Sequence, residues 1–86
     1  MADEAKLLLA VDQALRRGAL DQAGDLLADH RRSFASGSLA DQAEELELLL
    51  ACAERESGAS SRATRYLDAH PETLALARIE ATCELP

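Results

Sequence analysis

Aromatic and β-branched residues are nearly missing from this sequence. It has no Trp, one Tyr, one Phe, one Val, one Ile and three Thr. Those side chains fill a pleated sheet, so no strand is expected anywhere along the chain. Basic residues are scarce too, nine Lys and Arg against sixteen Asp and Glu, for a formal charge of −7 and a pI near 4.6. Phosphate backbones and anionic lipid need a concentrated positive field, so nucleic acid is excluded as a partner class. Wholly apolar runs such as Leu7 to Val11 fall far below the ~20 residues of a membrane span. Asp3 and Glu4 stand where a secretory leader would carry basic residues. No membrane insertion is expected, and the chain reads as cytoplasmic or as a soluble domain of a membrane-linked protein. Cysteine occurs only as Cys52 and Cys83, too few and too far apart for a disulfide scaffold or a zinc module.

Ala (18) and Leu (16) supply most of the apolar content of these 86 residues. Both lose little side-chain freedom in a helix, which makes the expected fold all-α. A chain of this length holds one domain, with a core that must pack efficiently to be stable.

Five helices are predicted. Leu8, Val11 and Leu15, with Leu7 and Ala14 beside them, repeat at three- and four-residue spacing from Asp3 to Arg17, and Gly18 supplies the stop. Ala23, Leu26, Leu27, His30 and Phe34 mark a second helix. Ser38 with Asp41 resembles a capping box that opens a third and longest helix, Leu39 to about Ser57, closed by Gly58. On it Leu39, Ala43, Leu46, Leu50 and Ala53 form one stripe, Leu49 and Cys52 widen it, and the acidic residues cover the rest. A fourth helix carries Ala59, Ala63, Tyr66, Leu67 and His70 to Pro71, which cannot continue it. A closing helix over about 74–84 follows a Thr73 cap, with Leu74, Leu76, Ala77, Ile79 and Cys83 as its apolar positions. Connections of two to four residues force neighbours to fold back as antiparallel hairpins, the first about 3–34 and the second about 39–70.

Shifting the chain by 35 residues lays Val11 on Leu46, Leu15 on Leu50, Ser38 on Thr73 and Leu39 on Leu74. One residue more lays Ala23 on Ala59 and Phe34 on His70. A helix-turn-helix period of about 34 residues is the tetratricopeptide signature. The run Gly18-Ala19-Leu20-Asp21-Gln22-Ala23 followed by Leu27 resembles that family's pattern of glycine, acidic residue, small residue and a large apolar residue one turn on. The chain departs from it where first-helix aromatics are replaced by Leu and Val, and where Ala35 stands in place of a common loop Pro. The runs Phe34 to Ala40 and Tyr66 to Thr73 resemble segments of tetratricopeptide-like tails on myxobacterial-type regulatory and envelope proteins. What the resemblance implies is a bacterial protein-contact domain, often appended to a membrane-linked or transcription-regulating protein; the helices and short connections themselves predict a two-hairpin array plus a closing helix, with helices one, three and five lining one side. It brings no catalytic residue, cofactor or metal with it.

The residues themselves offer little chemistry. His30 sits on an apolar face at a helix end, where its charged form suits the dipole. A phosphotransfer role would need Lys and Gly just after it, and Arg31, Arg32 and Ser33 follow instead. His70 before Pro71 reads as a turn cover. Cys52, Cys83, His30 and His70 lack the spacing of metal ligands. Cys52 and Cys83 fall toward the ends of alternate helices, so both two buried thiols and a bridge stay open. Paired carboxylates such as Glu44 and Glu45 read as a solvated face.

The chain is therefore expected to be a non-catalytic adaptor whose acidic groove holds a basic peptide or helix, with Asp12, Glu44 and Glu47 as contacts. A structural alternative is self-association, for instance as a homodimer, or docking in a longer protein, through Leu7, Leu9, Leu48 and Leu76 off the main stripes. A third reading is a thiol switch through Cys52 and Cys83.

Overall fold

The computed structural model describes residues 3–34, 37 and 39–85. Over these it is all-α: α1 (Asp3–Arg16), α2 (Leu20–Ser33), α3 (Ala40–Ala53), α4 (Ala59–Ala69) and α5 (Leu76–Cys83). Asp3 and Glu4 lie in the first turn of α1 and Arg16 in its last. Asp21 opens α2, and His30, Arg31 and Arg32 close it. Each charge sits at the helix end whose partial charge opposes it.

Leu8, Val11 and Ala14 of α1 pack with Ala23 and Leu27 of α2, and Ala43, Leu46, Leu49 and Cys52 of α3 continue that core toward Ala59, Ala63 and Tyr66 of α4. Helix α3 touches all four other helices, α1 also packs on α2, and α4 on α5. The order α1, α3, α5 along one side is the expected one. Burial reproduces the internal repeat as well. At an offset of 35, Leu8, Val11 and Ala14 match Ala43, Leu46 and Leu49, and at 36, Ala23, Leu27 and His30 match Ala59, Ala63 and Tyr66, every one of them buried.

Several expectations are corrected. Leu48 is buried, because a helix enclosed by four neighbours hides more than the single stripe its pattern defines. Helix α3 stops at Ala53 and not near Ser57. Helix α5 begins at Leu76, and only Ile79 and Cys83 of its expected apolar positions are buried, with Leu74, Leu76 and Ala77 exposed. The connections 34–39, 54–58 and 70–75 are also longer than expected. The Ser38 cap lies outside the described residues, and Leu39 next to it makes no side-chain cap bond.

The early stop of α3 has a local cause. In α1 the Ala19 N–H bonds back to the Ala14 carbonyl at 2.9 Å, with Gly18 at φ +76° between them. This closure satisfies carbonyls that the helix end would leave bare, and it needs a left-handed residue. The same closure ends α3 (Glu56 N–H to Ala51 carbonyl, 3.0 Å) and α5 (Leu85 N–H to Glu80 carbonyl, 3.0 Å), but there the left-handed residues are Arg55 and Glu84. No glycine marks either stop, which is why Gly58 misplaced the first of them. Arg55→Gly is expected to stabilise the chain by about 1 kcal/mol, since the left-handed region costs a side-chain-bearing residue roughly that much. A rise in the urea midpoint at unchanged slope checks it, and Gly18→Ala should move the midpoint the other way.

Candidate functional site

Along α1, Ala5, Leu8, Leu9, Asp12 and Arg16 recur one turn apart and present one face. That face meets Gln42, Glu45 and Leu46 of α3, the turn Thr73-Leu74-Ala75, and Ala77 and Arg78 of α5. Together they line an open groove of about 800 Å³. Leu9, 55% exposed, and Leu74, 103% exposed, stand on its walls.

Leu74 is exposed yet held. The Thr73 hydroxyl donates to Glu45 Oε2 at 2.7 Å and accepts from the Ala75 N–H at 3.2 Å, while the Thr73 N–H reaches the His70 carbonyl at 3.1 Å. The backbone on both sides of Leu74 is thus fixed before anything binds, and an apolar side chain offered in one place loses less entropy on contact. Thr73 is not the helix cap expected of it: it lies two residues before the cap position, Ala75, and braces the turn instead.

Glu45 makes that brace. Its Oε2 also accepts from the Tyr66 hydroxyl at 2.8 Å, so one half-buried carboxylate ties α3 to α4 and to the turn before α5. Burial pushes the Tyr66 pKa up from 10.0, and the bond to Glu45 and the charges of Glu45, Glu44 and Asp41 push it the same way. The folded chain holds this proton more tightly than the unfolded chain does. The resulting stability is whole below pH 10.0 and is lost as the pH rises through the folded value. Because the chain has one Tyr and no Trp, phenolate absorbance reports Tyr66 alone. The midpoint is expected well above 10 in the folded protein and near 10 in denaturant.

The three residues expected to contact a partner do not share a face. Asp12 lies in the groove, where it accepts hydrogen bonds from Arg16 Nε at 2.9 Å and from Arg78 across the floor. Burial alone would raise its pKa, but the bonds and charges of Arg16 and Arg78 outweigh that and hold the carboxyl below its ordinary range. Glu44 is exposed and borders a hollow between α3 and α4 with Arg62 and Arg65. Glu47 faces α2 and pairs with Arg31 at 3.4 Å. The groove carboxylates, Asp12 and Glu45, are both already bonded, so what the groove offers free is apolar surface together with the exposed amide of Gln42. Sequence reasoning missed Glu45, Leu74 and Arg78 as groove residues. The partners of Glu45 are 21 and 28 positions away and that of Arg78 is 66 away, so no local spacing announces them.

Both histidines serve packing. His30 is buried, its Nε2 donates to Glu4 Oε2 at 2.9 Å, and its ring lies 5.7 Å from that of Phe34. The Glu4 carboxylate also fills the space above Gly37, where a side-chain carbon would collide with it, so α1, α2 and the 34–39 connection meet at this pair. One repeat later Tyr66 takes the place of His30, with its own glutamate in Glu45, and stacks on His70 at 4.3 Å.

Cys52 and Cys83 are joined by a disulfide, with Cα atoms 4.9 Å apart, linking the C-terminal ends of α3 and α5. Among the described residues no group of three or more His, Cys, Asp and Glu has the arrangement of a metal site. None of the helices among them is long and apolar enough to cross a membrane. No family model, curated protein or solved structure matches this sequence.

Proposed function

We propose that the chain is a non-catalytic protein-contact module that receives an amphipathic segment of another polypeptide in the groove between α1, α3 and α5. The observation that carries this reading is Leu74, fully exposed on a braced turn and lining with Leu9 a groove whose carboxylates are already hydrogen-bonded. An apolar side chain is left in water at a fixed position at some cost, and contact with a partner recovers it. With both carboxylates already engaged, Asp12 by arginines and Glu45 by hydroxyls, apolar residues of the partner are its main anchors, and basic residues meet the acidic surroundings. The matched burial of the two hairpins supports the tetratricopeptide-like reading, in which such a face is the recognition surface. It also fits a tail on a longer regulatory or envelope protein.

A photo-reactive residue placed at position 74, in the native cell, tests the assignment. A captured polypeptide is expected, and its yield should collapse when Leu9→Asp is added. The same probe at Asp25, on the outer face of α2, should capture little. Equal capture from both positions would sink the groove.

Self-association is the second reading, favoured by the exposure of Leu9, Leu74 and Leu76. Sedimentation across a dilution series separates the two. A monomer at every concentration removes self-association, and a dimer that buries position 74 demotes a foreign partner. The compartment follows the sulfur chemistry: a persistent bridge belongs to an oxidising environment outside the cytoplasm, a reduced pair to the cytoplasm.

A further inference from the structure

We infer that the Cys52–Cys83 disulfide is a reducible fastener that keeps α5 in place as one wall of the groove, so that reduction switches the groove off. The inference rests on the groove reading above for its consequence, but not for the release of α5 itself.

Helix α5 has eight residues, shorter than a helix that is stable by itself, so it depends on what it is fixed to. It is fixed sparsely. Ile79 and Cys83 are its only buried residues, and Arg78 reaches Asp12. The Ser60 hydroxyl donates to the Cys83 carbonyl at 3.3 Å. The backbone holds α5 at its N-terminal end through the braced 70–75 turn, and the sulfur bridge holds it at the other. Breaking the bridge leaves the second end with the partly buried Leu85 against the core, the Ser60 contact and the exposed Arg55–Glu84 pair at 3.7 Å. Exposed ion pairs of this kind hold little.

The bridge lies under the surface: Cys52 and Cys83 are buried but border an open hollow of about 290 Å³ whose rim carries Arg55, Glu56 and Glu84. The reductant required is a dithiol. Its thiolate attacks one sulfur of the bridge, a mixed disulfide forms, and the second thiol of the reductant displaces the protein sulfur. Two protein thiols and the reductant's own disulfide result, with two electrons passing from the dithiol to the protein. Freed α5 carries off Ala77 and Arg78, and the turn bearing Leu74 loses the helix that follows it. Asp12 then loses Arg78.

Amide hydrogen exchange of the oxidised protein, with and without dithiothreitol, is the test. In the oxidised chain the amides of 79–83 and those of α2 are expected to be protected alike. After reduction, those of 79–83 should exchange about a hundredfold faster than those of α2, as a separate opening unit. The Cys52→Ser/Cys83→Ser variant should behave as the reduced protein with or without dithiothreitol. Unchanged protection of α5 after reduction overturns the fastener, and so does equal loss of protection in all five helices, which would make the bridge a global staple. The position-74 capture should fall at least tenfold on reduction, and capture that persists while α5 is open overturns the control of binding. If position 74 captures nothing in either state, it is the groove reading that fails, and the exchange result decides the fastener by itself.

Discussion

Reduction of the Cys52–Cys83 bond is expected to lower the unfolding free energy by about 3–4 kcal/mol, the value for closing a loop of this size in the unfolded chain. The bond spans 31 residues, covering α4, α5 and the connections on either side of α4. Cross-linking removes extended conformations from the unfolded ensemble, and reduction restores them. Against a total of about 4–13 kcal/mol for a chain of this length, the loss is a large share. The melting temperature should fall by roughly 15–25 °C. Thermal unfolding followed by circular dichroism, with and without a reductant, is the measurement. A shift of only a degree or two would show that the bridge restrains little in the unfolded chain. The double serine variant should reproduce the reduced melting curve, which separates loss of the bond from any effect of the reductant.

Ile79→Ala is expected to cost about 3 kcal/mol. Ile79 and Val11 are the largest fully enclosed side chains, and Ile79 is the sole fully buried side chain of α5. Truncation removes methyl and methylene groups from contact and opens a cavity that helices held by a disulfide cannot close. Leu74→Ala is the matched control: it removes a similar number of carbons from a side chain that touches little, so its effect should stay within about 0.5 kcal/mol. Urea unfolding of both variants reads the difference. The cost of Ile79→Ala should also shrink once the bridge is reduced, because a helix that is already open part of the time has less buried contact to lose. A cost that is identical in the two redox states would mean that Ile79 and the bridge hold α5 independently.

The helices of this chain were legible because their causes are local. Near-absence of β-branched and aromatic residues excluded strands, and three- and four-residue spacing located α1 and α2 to within a residue or two. Of the positions the 35-residue repeat laid together, Val11 with Leu46 and Ala23 with Ala59 are buried, whereas Leu74, laid on Leu39, is exposed. Helix ends were less legible. Gly18 announced its stop because glycine enters the left-handed region freely, whereas Arg55 and Glu84 occupy that region with nothing in their side chains to signal it. Leu48 and Leu74 were misread for a related reason. A hydrophobic pattern states which residues favour burial, but the number of neighbours around a helix decides which of them obtain it. Helix α3, touching four others, hides Leu48, and the turn before α5 leaves Leu74 outside.

By itself the sequence determined the helical class and the approximate places of the helices, consequences of backbone preference and periodicity over a few turns. Tertiary structure alone decided that Cys52 and Cys83 meet, that Glu45 joins Tyr66 to Thr73, and that Arg78 crosses to Asp12. These contacts join residues 21 to 66 positions apart. Distance between such residues is set by how rigid helices stack, a property of the whole assembly that no short stretch of sequence carries.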